Sequence, residues 1–465
     1  LDLTDRDLQE NDIFPLDSEQ TWFTRAKDRR LVPFAPVIQE IPFRGPAAFG
    51  QRFTFDIGSL IAGDLLFGAA LQIRLGHWLD AQTQLLVAAG LSQDEDTSGS
   101  WEYANSLGSV IIQEAELEID GQTIETIDGD TINLFNTLFP DYNAQFGISY
   151  DHLGKIRLQR LRALPKARLF PTEDGILHCI LPFFFGRVRL QDALPLVAIR
   201  EGLVRIHVRL RPFSDCVRQL RGFRDSCTAT PLEQTFTLVR QGQAPRYVTT
   251  GVAPPDFESI QLITYGALIQ GAMRQRMLRE PFEMIHREAQ TFTFDEPMKY
   301  AVSQRQDAIR IQLPLEANHP LEEILWFVRR KGVRDNNDWT NYSATLEKDV
   351  DEAPLKPLLK SAALQVNGVT LCEAEEQYFR QLIAQTHKGG ITAYNAFIYG
   401  YPFAARPGEH QPSGSLNASR TNSLRLTLEV QPPPGNTDGW EVVVVCLALN
   451  WMRFENGLAN ALFED

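Results

Sequence analysis

At 465 residues the chain is too long for a single hydrophobic core, and two domains are the natural count. Its formal net charge of −14 argues against a free nucleic-acid binder, which is usually basic overall. No run reaches the ~18 apolar residues that a membrane-spanning helix requires.

Residues Leu1 to Gln20 are acid-rich, with isolated apolar residues but no sustained period. This stretch reads as an N-terminal arm, ordered by its neighbours rather than by a core of its own. No signal peptide is evident, and the missing initiator Met points to a trimmed N-terminus. A first domain over residues 21–213 opens at Trp22-Phe23, and prolines 33, 36, 42 and 46 punctuate short extended pieces. Arg52 to Ile57 and Ala70 to Leu75 alternate as half-buried strands do, and Ser92 to Ser100 is a polar loop. Leu177 to Phe185 and Leu203 to Arg211 are the next strands, beyond a long connection from Asp141 to Gly175.

Apolar periodicity fades between Pro212 and Pro231, so a linker is placed at 214–234 and a second domain at 235–465. Its expected strands are Ser259 to Tyr265, Thr291 to Phe294, Ala308 to Leu313, Ile324 to Val328, Ala393 to Tyr401, Leu424 to Val430 and Glu441 to Trp451. A charged loop is expected from Arg329 to Pro357. Many strands, few helices and no βαβ rhythm indicate an all-β chain of two tandem antiparallel sandwiches, with a few short helices in long loops. The jelly roll is the sandwich that best fits long excursions between strands.

One passage is written twice. Ala115 to Ile124 reads AELEIDGQTI: Leu117 and Ile119 alternate with acids, and Asp120-Gly121 supplies the positive φ angles of a type I′ turn. Ala362 to Leu371 reads AALQVNGVTL, with Leu364, Val366 and Asn367-Gly368 in the matching places. Each hairpin runs into an expected helix. The first is capped by Asp130 and stopped by Pro140; the second spans Glu373 to Ala384 and closes at Gly389-Gly390. A second echo aligns Leu196–Arg200 and Leu203–Val208 with Leu416–Arg420 and Ser423–Leu428. Two echoes in the same order favour duplication of one β-rich unit.

Catalytic signatures are scarce. There is no phosphate-binding G-x-x-x-x-G-K-[ST], no G-x-S-x-G, no H-E-x-x-H and no pair of histidines at metal-binding spacing. Five scattered cysteines (Cys179, Cys216, Cys227, Cys372 and Cys446) contain no C-x-x-C pair, which disfavours a disulfide framework or zinc site and favours a reducing compartment. His207 reads as a satisfied histidine on the polar face of a strand. Glu114, Glu116 and Glu118 could serve acid–base work on a sugar, but such alternation is ordinarily a strand's wet face. Basic clusters occur at Lys155 to Arg168, at Arg218, Arg221 and Arg224, and at Arg329-Arg330-Lys331. Without interleaved aromatics they read as salt-bridging surfaces towards acidic neighbours, other copies of the chain included. Asn341-Tyr-Ser343 and Asn417-Ala-Ser419 are glycosylation sequons; Asn341 is expected to be accessible and Asn417 to be structural.

Several stretches together resemble one family. They are Phe23 through Arg29-Arg30 to Phe34-Ala35, Gly63-Asp64-Leu65, Asn105-Ser-Leu-Gly108 leading to Ala115–Gln122, Leu181-Pro-Phe-Phe-Phe185 with Ala193-Leu-Pro-Leu196, and Glu409-His-Gln-Pro-Ser-Gly414 followed by Asn417 and Ser419-Arg420. Across nearly its whole length the chain resembles the major capsid proteins of nucleocytoplasmic large DNA viruses, departing from the pattern at Ala405-Arg-Pro-Gly408 and in the N-terminal segment. The resemblance implies two jelly rolls per chain, homotrimers that act as pseudo-hexagonal blocks of an icosahedral shell, and contacts with neighbouring capsomers and minor capsid proteins. An inner viral membrane would be reached through other proteins, assembly would take place in the host cytoplasm, and no enzyme activity, cofactor, metal or direct nucleic-acid contact is implied. The alternative is a carbohydrate-binding or glycan-cleaving protein on the same scaffold, marked by a convergent acid pair with aromatic platforms.

Overall fold

The computed structural model describes residues 34–75, 100–104, 106–140, 176–187, 192–221, 225–228, 236–241, 244–249, 257–296, 308–335, 337–344, 356–387, 397–408, 411–431 and 439–461. The first sandwich is built from β1 (Phe34–Ile41), β2 (Arg52–Ile57), β3 (Leu65–Leu75), β4 (Ile112–Ile119), β5 (Gln122–Asp128), β6 (Ile176–Leu181), β7 (Val204–Leu210) and β8 (Phe257–Ile269). The second uses β9 (Phe282–Glu296), β10 (Ile309–Pro314), β11 (Pro320–Arg330), β12 (Leu359–Val366), β13 (Val369–Glu375), β14 (Ile398–Pro402), β15 (Leu424–Val430) and β16 (Trp440–Glu455), with β17 (Leu458–Ala461) hairpinned onto its last strand. The helices are α1 (Gly129–Leu138), α2 (Ala272–Arg279) and α3 (Glu376–Thr386), besides shorter turns.

Both halves have the jelly-roll order. The sheets run β1-β8-β3-β6 and β2-β7-β4-β5 in the first, and β9-β16-β11-β14 and β10-β15-β12-β13 in the second, all antiparallel. Alternation places Phe53, Phe55, Leu71, Leu117 and Ile206 in the first core and Phe327, Leu364, Leu426 and Val443 in the second.

The equivalence extends to individual residues. Leu117 lies opposite Ile206, and Leu364 opposite Leu426. Ile73 sits between Ile260 and Leu177, as Phe327 sits between Val443 and Ile398. Even the irregularities recur: β4 shifts register at Ile112/Glu114 and Leu117/Glu118, and β12 does so at Leu359/Ser361 and Leu364/Gln365. Each hairpin turns through two positive φ angles, 54° and 83° at Asp120-Gly121 and 51° and 81° at Asn367-Gly368. In each, the turn's side chain reaches the loop before the neighbouring strand. Asp120 Oδ1 accepts from the Leu203 amide at 2.8 Å, and Asn367 Oδ1 accepts from Asn422 and Ser423 at 2.9 and 3.2 Å.

Several expectations are corrected. The strand foreseen at Ser259 to Tyr265 belongs to the first sandwich: β8 pairs with β1 and β3, so that sandwich closes well past the linker placed at 214–234. Within that linker, Val217–Arg221 and Asp225–Thr228 are paired strands, and the former also joins Ser100–Tyr103. Prolines and arginines dilute the apolar period there without ending the sheet. The cap of α1 is Asp128, whose Oδ1 accepts from the Thr131 amide at 2.7 Å, and not Asp130. Helix α3 begins at Glu376 because Glu373 to Glu375 complete β13. The N-terminal arm, the Lys155 to Arg168 run, Arg224, Glu409-His410 and Gly389-Gly390 lie outside the described residues.

Candidate functional site: the junction between the sandwiches

Charged side chains in the interior concentrate where the two sandwiches meet. Strand β11 (PLEEILWFVRR) is buried on both faces, yet carries Glu322, Glu323, Arg329 and Arg330. Arg329 is 0% exposed and grips Asp130 of α1 with two hydrogen bonds of 2.7 and 2.9 Å. It also donates to Glu441 at 3.1 Å and to the Trp339 carbonyl at 3.0 Å, while Arg334 engages the other oxygen of Glu441. Burial alone would lower the guanidinium pKa, but the attraction of Asp130 and Glu441 outweighs it and the net shift is upward. Arg329 therefore keeps its charge, paired and hydrogen-bonded as burial requires.

Neighbouring contacts extend this seam. Asn133 Nδ2 donates to the Tyr342 hydroxyl at 3.0 Å, and Tyr342 stacks on Phe327 with centroids 4.1 Å apart. Asn337 Nδ2 donates to the Ser214 and Val217 carbonyls, both at 2.6 Å, and Trp339 Nε1 to the Asp215 carbonyl at 2.9 Å. On the other flank Arg187 pairs with Glu125 and donates to the Arg287 carbonyl at 2.9 Å, and Arg287 pairs with Glu322 at 2.6 Å. His387 lies 2.7 Å from Glu323 and meets the edge of Phe139.

Apolar groups cross the seam in both directions. Leu134, Phe135 and Leu138 of α1 belong to the second core, whereas Met452, Phe454 and Ala459 of β16 and β17 belong to the first. Edge strands β5 and β9 face each other across a groove of about 430 Å³, lined by Thr123, Glu125, Asp128, Glu288 and Gln290 among others.

The residues singled out from the sequence fall elsewhere or play other parts. Glu116 pairs with Arg52 at 2.5 Å and Glu118 with Arg205 and His207 at 3.2 and 3.0 Å, on the outer face of the first sandwich. Thr54 completes the partners of His207 at 2.8 Å, so that histidine is satisfied. The hydrogen bond from His207, ahead of the contribution of Arg205, holds the Glu118 carboxyl below its ordinary pKa. Among the described residues no group of three or more His, Cys, Asp or Glu side chains could hold a metal ion.

Two further expectations are overturned. Arg329 and Arg330 do not open a charged surface loop; they end the buried strand β11. Asn341 is not accessible: it is buried, its Nδ2 donating to Asp338 at 2.8 Å and its Oδ1 accepting from Ser343 at 2.6 and 3.0 Å. Asn417 is exposed, and its Oδ1 accepts from the Arg420 amide at 3.3 Å, which stabilises a short 3₁₀ turn. The junction itself escaped sequence reading, since Asp130 and Arg329 stand far apart in the chain. Its one local sign was charge embedded in the apolar run of β11.

Comparison with known proteins matches these features to one group. A family profile described as the major capsid protein N-terminus covers residues 21–235, and one described as the large eukaryotic DNA virus major capsid protein covers 274–460. The major capsid protein of Pyramimonas orientalis virus is 23% identical over 98% of this chain and 96% of its own length. That of Chrysochromulina ericina virus is 26% identical over 68% of this chain, which spans only 55% of the relative. Among solved structures, the PBCV-1 virus capsid protein superposes with a TM-score of 0.65 at 18% identity, covering 96% of this chain and 100% of that one. The Faustovirus major capsid protein gives 0.65 at 11%, covering 97% and 94%. With two jelly rolls per chain and the two profiles meeting the two halves, the chain belongs to the major capsid proteins of the large eukaryotic DNA viruses.

Proposed function

We propose that this structural protein of a viral capsid works as a homotrimer, a pseudo-hexagonal block that tiles an icosahedral shell with its neighbours and with minor capsid proteins. The observation that carries this reading is the residue-by-residue equivalence of the two sandwiches. Two like units per chain let three chains imitate six, and closure about one axis makes the contact self-limiting. The junction supports it further, since paired buried charges and exchanged apolar side chains hold the two units at a fixed angle. The division between the sandwiches is placed at α2, after β8 and before β9.

On this reading the protein is not an enzyme and takes no cofactor. It assembles in the host cytoplasm, leaves nucleic acid to other components and meets any inner membrane through other proteins. The glycan-acting alternative has no specific support: of its candidate acids Glu114, Glu116 and Glu118, the last two are each tied to a basic partner. The test is mass measurement at micromolar concentration together with electron microscopy of the purified chain. Three times the chain mass of 52.6 kDa and hexagonal blocks are expected. A single-chain mass over a wide concentration range refutes the trimer.

A further inference from the structure

Among the described residues, the duplication leaves two edges without a mate. Within the chain, β5 of the first sandwich faces β9 of the second across the groove, while α1 beside it meets the end of β11 and the second core. The counterpart of β5 and α1 is β13 and α3; the counterpart of β9 is β1. Residue by residue, Ile124 corresponds to Leu371, Asp128 to Glu375 (each the residue before its helix), and Glu288 to Ile38.

These unmated edges differ in exposure from their mated counterparts. Helix α1 is buried at every position, but α3 leaves Gln377, Tyr378, Gln381 and Gln385 exposed. Ile124 packs against the first core, whereas Leu371 is 47% and Val369 63% exposed. On the other unmated edge Phe34 is 53% and Ile38 64% exposed. Exposed large apolar side chains at two sheet edges are liabilities in a lone chain and ready surfaces for pairing.

We propose that β13 and α3 of one copy dock on β1 of a second copy, reproducing between chains the junction that β5, α1 and β9 form within the chain. The inference rests on the trimeric reading above and supplies the surfaces that would build it. Its occupant is a second copy because the internal junction already shows these two kinds of edge meeting. Because the contact is head-to-tail, a turn that repeats at each of six sandwiches closes the ring at three chains. The interchain version is more polar than the internal one. Where α1 presents Leu134, Phe135 and Leu138 to the second core, α3 offers Gln381, Leu382 and Gln385 at the matching positions. Such an edge suits a chain that must be soluble before it assembles.

The experiment places a photo-crosslinking side chain at Leu371 in the full-length protein and identifies the linked peptide by mass spectrometry. The expected link falls within Phe34–Ile41 of another copy. In parallel, Ile38→Asp and Leu371→Asp should each reduce the particle to a single-chain mass while the single chain still melts cooperatively. A threefold mass with the link elsewhere, or with both variants still trimeric, overturns this interface and leaves the shell reading intact. A wild-type chain that stays single overturns both.

Discussion

At the scale of single residues, the charged junction makes the sharpest claim. Removing one member of a buried, hydrogen-bonded ion cluster leaves the others charged and unsolvated, a loss of about 3–5 kcal/mol. Arg329→Ala should therefore lower stability by that order in urea titration, by stranding Asp130 and leaving Glu441 with Arg334 alone. Arg329→Lys should recover only part, because a single ammonium cannot reproduce the two-pronged contact with Asp130. A loss within 1 kcal/mol of zero for the alanine variant would show that the cluster is solvated in solution. His286 gives a pH signature. It is buried against Phe184, and its Nδ1 has no hydrogen-bond partner among the described residues. Burial first, then the charges of Arg187 and His319, lower its pKa from 6.5 to about 4. In this window the unfolded chain takes up a proton that the folded chain refuses. Its contribution is therefore whole above pH 6.5 and fades as pH falls towards 4. The effect amounts to about 3 kcal/mol. His286→Phe should flatten the fall of the urea midpoint across that window, and an unaltered slope would exclude His286 as its source. His387 runs the other way. Burial pulls its pKa down, but Glu323 more than reverses this, so its contribution is present at low pH and is lost as pH rises through the raised value.

At the scale of elements, the paired hairpins explain what the sequence could and could not reveal. The turns at Asp120-Gly121 and Asn367-Gly368 were legible because local chemistry decides them: alternation sets the strand faces, and residues tolerant of positive φ set the reversal. Both first positions also tether a distant loop through Oδ1. Asp120→Ala and Asn367→Ala should each cost about 1–2 kcal/mol, combining left-handed strain with a lost hydrogen bond. Thermal midpoints of the two variants should fall together, and a neutral effect at one position alone would deny that the hairpins are equivalent. What the sequence concealed was partnership. Ser259 to Tyr265 reads as a strand from its residues, but only the pairing of β8 with β1 and β3 assigns it to the first sandwich. Asp130 has the composition of a helix cap, and its role in the junction depends on an arginine brought in by the fold of the other sandwich. Asn341 lies in a stretch that reads as loop, yet backbone and side-chain partners bury it.

At the scale of the whole molecule, the two sandwiches should unfold as one. Each completes its neighbour's core: α1 inserts Leu134, Phe135 and Leu138 into the second, and the C-terminal hairpin returns Met452, Phe454 and Ala459 to the first. Separating the halves would expose these side chains at ~1.5–3 kcal/mol for each large one and would strand Asp130 and Arg329 as well. That coupling is comparable to the ~5–15 kcal/mol stability of a typical domain, so neither half should persist once the other melts. Calorimetry of the isolated full-length chain should therefore show one transition, and Arg329→Ala, by weakening the seam more than either core, should broaden it or split it in two. Two well-separated transitions in the unaltered chain would mean that the seam is loose. A loose seam could not hold the angle between sandwiches on which the proposed ring of six depends, so the same measurement bears on whether one chain can serve as a rigid third of a capsid block.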